Sequence, residues 1–389
     1  MVHSGTAFRP RIFLVVTWAL NVCINAFYIS PAAVFPQLIP DLGISKAQAG
    51  GLISFYLLAI LLSQIPAGYV IDRMDPRKII ALAALAVVGL SIPMALVDSY
   101  GPLLVLRILA GLPVAFVFVP SAFLVSRAFE RTPGRAVGAF LSAPPAGVAL
   151  GNLLSPLVAD AFGWSAVLVA FTLPLLPILP AFLRASRDLP ARDPASFPLR
   201  EFFQAFRNRE LWKIGLVFAC SYAAYIFFSS WSPTYLKETG SVGVAILALA
   251  SASVPAAGIL SRPLGGYLAE TRFAKDKRSV PFIAFGILLV VSVAVPLAPA
   301  FAPALFVAAG FLAQFPFSVY YLFSSQVMPR RFGGTAFAFM NTTSLIGGSV
   351  SPALAGFLVD VTGTFASAFA MMAVNALLGL ALLAFVRER

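Results

Sequence analysis

Apolar residues in this chain fall into long runs broken by short polar stretches. A membrane crossing needs about 20 apolar residues as a helix. On that measure the runs predict twelve helical spans, near 12–36, 47–70, 78–97, 102–126, 134–159, 164–184, 212–236, 243–268, 280–298, 303–327, 334–359 and 365–386. The connections between them are short except for 185–211. That stretch begins as a Pro- and charge-rich linker, Arg187 to Pro194. Beyond it Leu199, Phe202, Phe203 and Phe206 recur at helical spacing among Arg200, Arg207 and Arg209. This pattern predicts a short amphipathic helix lying on the inner leaflet.

Composition closes off other classes. Hydrophobic residues make up 60% of the 389 and charged residues 11%, against about 25% charged in an ordinary soluble domain. Too few charges remain to cover a water-facing surface. Twelve spans also leave no room for a soluble catalytic domain, so an enzyme is not expected. The formal net charge is +12, which on a soluble protein would point to nucleic acid, yet no nucleic-acid motif accompanies it. The charge is instead a topology signal. With the N-terminus inside, 24 of the 27 Lys and Arg fall on the inner side, counting Arg262 provisionally there. Only Lys46 and Lys237 fall outside, and Arg107 lies within a span. The bias predicts a multi-pass protein of the cell membrane with both termini cytoplasmic and an even number of spans.

The chain also repeats itself. Cys23, Tyr28 and Pro36 recur as Cys220, Tyr225 and Pro233; Gly111 and Phe116 recur as Gly310 and Phe315; Gly147, Asp160 and Gly163 recur as Gly347, Asp360 and Gly363. The fold class expected is therefore all-α, twelve transmembrane helices in two pseudo-symmetric six-helix bundles. The expected division is 1–184 for the first bundle, 185–211 for the linker and 212–389 for the second. Parallel halves of this kind place a binding site near the midplane between them.

The span 2–3 loop runs Gly68, Asp72, Arg73, Met74, Asp75, Pro76, Arg77, Lys78. It resembles the G-x-x-x-D-R-x-G-R-K loop of the major facilitator superfamily, with Asp75 where that family usually has Gly. Span 4 carries Arg107 and Gly111, similar to the same family's R-x-x-x-G motif. With the repeat and the topology, the resemblance covers nearly the whole chain and implies transport by alternating access. It casts Gly68, Asp72, Arg73 and Arg77 as a conformational latch, with Glu270 in a weaker second copy. Asp72 can face a helix N-terminus, where an anion is favoured.

Span 8 holds Ser261, Arg262, Pro263, Leu264, Gly265 and Gly266. Arg262 stands eight residues before Glu270, so about 12 Å deeper at 1.5 Å per residue. That removes it from the inner loop and puts it in the membrane. An R-P-x-x-G pattern here resembles monocarboxylate transporters and is similar to nitrate/nitrite porters, and oxalate/formate exchangers have an Arg in a comparable place. A guanidinium offers paired planar donors to a carboxylate or nitrate and stays charged at any working pH. At the repeat-related position, where nitrate/nitrite porters have a second Arg, this chain has Gln64. The Lys in span 11 expected of an oxalate/formate exchanger is absent. An Arg within a span has a partner or a task, and for Arg107 both a substrate contact and a structural bond to helix carbonyls stay open.

Further candidates for the pocket are Asn25 and Tyr28 in span 1, Tyr222 and Tyr225 in span 7, and Gln314 in span 10. Every Asp and Glu falls in a loop or at a span end, and the one His is His3. A cationic substrate would want a buried anion, and none is offered; a protein-borne proton relay is not visible either. Span 5, with Ala143, Pro144, Pro145 and Gly147, is a degraded form of the G-P-x-x-G-G segment of drug/proton antiporters, or a small-residue packing face. No P-loop, metal-ligand cluster or cofactor motif is present. The reading is a secondary transporter, a monomer in the bilayer with no nucleic-acid partner, that moves a small, anionic solute: a short carboxylate or nitrate/nitrite. The alternatives are an efflux pump for amphipathic drugs and a non-transporting sensor or assembly member of the superfamily.

Overall fold

A backbone surrounded by lipid must satisfy its own hydrogen bonds, so apolar runs of this length resolve into helices. The computed structural model describes residues 9–71, 74–129, 132–187, 189, 206–240, 243–328 and 333–386, and among them there is no strand. Twelve helices among the described residues are long and apolar enough to cross a membrane. They are span 1 Pro10–Ala33, span 2 Lys46–Gln64, span 3 Pro76–Met94, span 4 Tyr100–Ala128, span 5 Arg135–Phe162, span 6 Trp164–Ala185, span 7 Arg209–Thr239, span 8 Val244–Glu270, span 9 Ser279–Leu297, span 10 Pro299–Val327, span 11 Thr335–Thr362 and span 12 Phe365–Leu383. Each falls within a few residues of a run expected from the sequence, and the helix of span 2 continues to Ile71. The fold is all-α, in two pseudo-symmetric bundles of six.

The helix ends have local causes. Asn208 starts span 7, its side-chain oxygen accepting from the backbone N–H of Glu210 at 3.0 Å. Asp75 starts span 3 by accepting from the Arg77 N–H at 3.0 Å. Spans 5 and 11 end at the repeat partners Gly163 and Gly363, with φ of 81° and 71°, a region a side chain resists. The repeat extends to packing. Gly147 of span 5 lies against the Val22 carbonyl of span 1, and Gly347 of span 11 lies against the Ala219 carbonyl of span 7. The Gly147 stretch thus serves close helix approach.

Spans 4 and 10 are each broken mid-way. Span 4 passes through a short 3-10 turn, Leu112–Val114, and span 10 breaks between Gln314 and Phe317. Pro113 and Pro316 sit in the breaks, where each withholds a backbone N–H from the helix ladder.

The two faces of the molecule differ. One face carries the described C-terminal end, where Arg278 Nη1 donates to the Val386 carbonyl at 3.4 Å, and the end of span 6, where Arg77 Nη1 donates to the Ser186 carbonyl at 3.2 Å. On this terminal face the expected amphipathic segment with Leu199, Phe202 and Phe203 lies outside the described residues. Phe206 at its end packs on Trp212 and Phe339, with ring centroids 5.9 and 5.1 Å away.

On the opposite face span 2 packs along span 11 and span 5 along span 8. The Asp360 carboxylate at the end of span 11 accepts from the first backbone N–H groups of span 2, Lys46 at 3.0 Å and Ala47 at 2.7 Å. Lys46 Nζ also pairs with Glu238 at 3.0 Å. Deeper in, the Asn152 amide donates to the Ser229 and Ser251 carbonyls at 3.0 and 3.2 Å. Ala353 N–H donates to Ser54 Oγ at 3.0 Å. Among the described residues, the hydrogen bonds joining the bundles all lie in this half. Among the described residues, these contacts hold the bundles together toward the opposite face.

Candidate functional site

Where those contacts end a cavity of about 470 Å³ begins, between the bundles and toward the terminal face. The helix breaks shape it: Val114 and Ala115 of span 4 and Phe317 and Ser318 of span 10 lie on its wall. Among the described lining residues, Arg262 is the one with a formal charge.

The span 8 motif explains how Arg262 is held. Gly265 lets span 8 lie directly on the Phe315 carbonyl of span 10. That contact meets the break at Pro316, so Gln314 before the break and Ser318 after it both reach span 8. Arg262 Nη2 donates to Gln314 Oε1 at 2.7 Å. The Gln314 amide is itself anchored, donating to the carbonyls of Gly310 at 3.0 Å and Val254 at 3.2 Å. Ser318 Oγ donates to the Arg262 carbonyl at 2.8 Å. The guanidinium carbon lies 4.8 Å from the Phe317 ring centroid and 5.9 Å from that of Tyr225. The plane of the guanidinium is therefore constrained, while its Nε is buried without a partner.

Around Arg262 the wall is aromatic. Phe218 meets Phe317 edge-on at 4.9 Å and Tyr321 at 5.5 Å. Tyr222 contacts Tyr225 at 5.7 Å and stacks at 6.1 Å from Phe317. The facing wall, from the first bundle, mixes Asn21, Asn25, Tyr28 and Gln64 with Leu57, Ile60, Phe118 and Val148.

Arg262, Tyr28, Tyr225, Asn25, Tyr222 and Gln64 are thus brought to one cavity. Gln314 and Arg107 are placed differently from the sequence expectation of wall residues. Gln314 is fully buried behind Arg262 and meets it rather than the cavity. Arg107 is 0% exposed. Its guanidinium donates to the Tyr28 carbonyl at 2.7 Å and to those of Phe27 and Leu52 at 3.4 Å, and it lies 4.2 Å from the Tyr56 ring centroid. Backbone carbonyls and a ring face occupy the donors that a substrate would need. The residue ties spans 1, 2 and 4 together beneath Tyr28, as the structural alternative for it expects.

The comparisons with known proteins bear on this arrangement. The model of the Major Facilitator Superfamily matches residues 17–352. The chain belongs to the Major Facilitator Superfamily. A hexuronate transporter of Bacillus subtilis is 25% identical, covering 97% of this chain and 94% of its own length. A probable sulfoacetate transporter of Cupriavidus necator is 27% identical, covering 93% of this chain and 89% of its own. The crystal structure of a bacterial homologue of the human lysosomal transporter Spinster, inward-facing and unoccupied, superposes with a TM-score of 0.76 at 19% identity, covering 98% of this chain and 95% of that one. This superfamily member is a multi-pass transporter and not an enzyme.

The superfamily loop is seen in part. Asp72 and Arg73 lie outside the described residues, Gly68 lies in the helix of span 2, and Glu270 is exposed at the end of span 8. Arg77 forks onto Asp75, with Nε to Oδ1 and Nη2 to Oδ2 both at 2.9 Å. It also donates to the Ser186 and Arg187 carbonyls at 3.2 Å. These bonds stay within the first bundle. Partial burial pushes the Asp75 carboxyl up, but the side-chain and backbone hydrogen bonds from Arg77, with the charges of Arg77 and Lys78, outweigh it and hold the group below its ordinary value. Asp75 stands where the family pattern has Gly, and its role as a helix cap is separate from that pattern. Its signal was available: an Asp directly before Pro at a helix start.

Proposed function

We propose that this permease carries a small organic anion across the cell membrane by alternating access, with both termini cytoplasmic. The moving parts are the bundles 1–184 and 212–389, joined by 185–211. The observation that carries the reading is the charge of the cavity wall: a constrained guanidinium, buried at Nε, with no acidic residue among the described lining residues. A desolvated cation of this kind favours an anion that completes it. The relatives named for hexuronate and sulfoacetate support the sign of the charge. The same wall disfavours cationic drugs.

In this reading the structure is the state open toward the cytoplasm. With no carboxylate or histidine among the described wall residues, the reading is exchange or facilitated diffusion, or symport in which the substrate's own charge draws the proton. The test is uptake and counterflow of labelled carboxylates and nitrate in liposomes, with wild type and Arg262→Gln reconstituted at matched, folded levels. Anion flux that is unaffected by Arg262→Gln would sink the proposal.

A further inference from the structure

Resting on that reading, the geometry points to an organic monoanion with a flat apolar body, of the arylcarboxylate kind, rather than a sugar acid or a dianion. Three observations carry it. The first is charge number. Arg262 is the one formal charge among the described wall residues, and the repeat-related position on the facing bundle holds neutral Gln64. A second carboxylate on the solute would be taken from water with no cation to meet it, which is unfavourable in a confined apolar site.

The second observation is what surrounds the charge. A carboxylate clamped to Arg262 has its body within reach of Phe218, Tyr222, Tyr225, Phe317 and Tyr321, all on the cavity wall. Their rings interlock at centroid distances of 4.9–6.2 Å. Such a wall rewards a flat apolar solute through ring–ring contact. Beside the charge these five residues offer a polyhydroxylated solute the tyrosine hydroxyls.

The third is that much of the wall's hydrogen-bonding capacity is already used. The hydroxyls of Ser142, Ser318 and Ser344 donate to backbone carbonyls at 2.7, 2.8 and 2.8 Å. The amides of Asn21 and Asn25 each donate to their own helix, at 2.9 and 2.8 Å. Buried polar atoms left without a partner on this wall are Arg262 Nε, the Tyr28 hydroxyl and Asn21 Oδ1. Open on the same wall are the Gln64 and Asn341 amides and the hydroxyls of Tyr222, Tyr225 and Tyr321. A sugar acid brings several hydroxyls beside its carboxylate, and each one left unpaired is a loss relative to water.

The experiment is equilibrium binding to purified full-length protein in detergent. Labelled benzoate and labelled D-glucuronate are the probes, with cyclohexanecarboxylate, cis,cis-muconate and nitrate as competitors. Thermal unfolding confirms that each variant is folded. Benzoate should bind at least about tenfold more tightly than glucuronate or muconate. Arg262→Gln should abolish binding. Tyr222→Leu should weaken benzoate several-fold and leave nitrate competition unchanged. If glucuronate or muconate binds as tightly as benzoate, and Arg262→Gln still abolishes it, the flat-monoanion inference falls and the organic-anion reading stands. If Tyr222→Leu weakens benzoate and nitrate alike, the ring contact is not the source of selectivity and the inference falls too. Binding that survives Arg262→Gln, or no saturable binding of any of these anions, overturns both.

Discussion

Replacing Asp360 with Asn should open the face that this structure closes. The carboxylate sits at the end of span 11 and accepts two bonds from the first turn of span 2 in the other bundle, at 3.0 and 2.7 Å. These are bonds between bundles, so they exist only while the opposite face is shut. The Asn amide keeps one acceptor oxygen and loses the other along with the negative charge. A hydrogen bond to a charged group contributes about 1.5–3 kcal/mol, and an anion at an exposed helix start adds about 0.3–1 kcal/mol. Asp360 is exposed, so solvent takes up much of this, and about 1–2 kcal/mol of bias should be lost. That corresponds to a shift of about 5- to 30-fold toward states open on this face. Spin labels at Gly43 and Lys237, one per bundle on that face, would read the distribution by double electron–electron resonance after replacement of Cys23 and Cys220. Asp98→Asn is the control, because Asp98 is exposed on the same face but away from the seam. An Asp360→Asn distribution equal to wild type would refute the reasoning, as would an equal shift from Asp98→Asn.

Four other outcomes are expected. Arg262→Lys should weaken substrate binding by about 10- to 150-fold while keeping the charge, because a flexible ammonium cannot reproduce the fork that Gln314 and Phe317 orient; wild-type affinity in a binding assay would count against the anion site. Arg107→Lys should lower the unfolding temperature more than Arg262→Lys does, since it breaks bonds to carbonyls on spans 1 and 2; equal melting curves would contradict the role given to it. Asp75→Ala should destabilise the span 2–3 corner at neutral pH. Because the folded Asp75 lies below its ordinary value of 3.8, its contribution is fully present above that value and is lost only as pH falls through the lower folded value, so an Asp75-dependent melting difference that fades between pH 8 and 5 would be the wrong sign. Engineered cysteines at Arg331 and Lys237 should label from the cytoplasmic and external sides respectively in intact cells, and the reverse pattern would invert the orientation.

The span count was legible because it depends on one-dimensional quantities: run length and the small number of charges. The internal repeat was legible for a similar reason, since residues such as Gly147 and Gly347 meet backbone at equivalent places and tolerate no side chain there. Arg262 could be read because a guanidinium inside an apolar run needs a purpose. Its support could not. Gln314 looked like another pocket residue, and only the break at Pro316 and the close approach at Gly265 show that it stands behind the arginine. Asp360 was visible only as the repeat partner of Asp160. Its bond to span 2 joins residues more than 300 positions apart, a pairing that no local pattern encodes.

The two bundles repeat in packing but not in the chemistry they show the cavity. The second contributes the charge and most of the rings: Arg262, Phe218, Tyr222, Tyr225, Phe317 and Tyr321. The first contributes amides and aliphatic groups beside Tyr28 and Phe118, with Gln64 at the arginine's repeat position. Helix-to-helix glycine contacts must be kept in both halves or neither bundle holds together, so the repeat survives there. The cavity wall carries no such constraint, and each half can specialise. On the reading proposed above, a solute held by its charge and its ring on the second bundle gains its contacts to the first only when the two walls approach. Such a solute favours closure around itself by more than it favours the open state, which is what a ligand must do to shift a conformational equilibrium. An empty cavity closing on Arg262 would desolvate a cation with nothing to replace its water. On the proposed reading, the asymmetry between the walls would tie movement of the bundles to the presence of the anion.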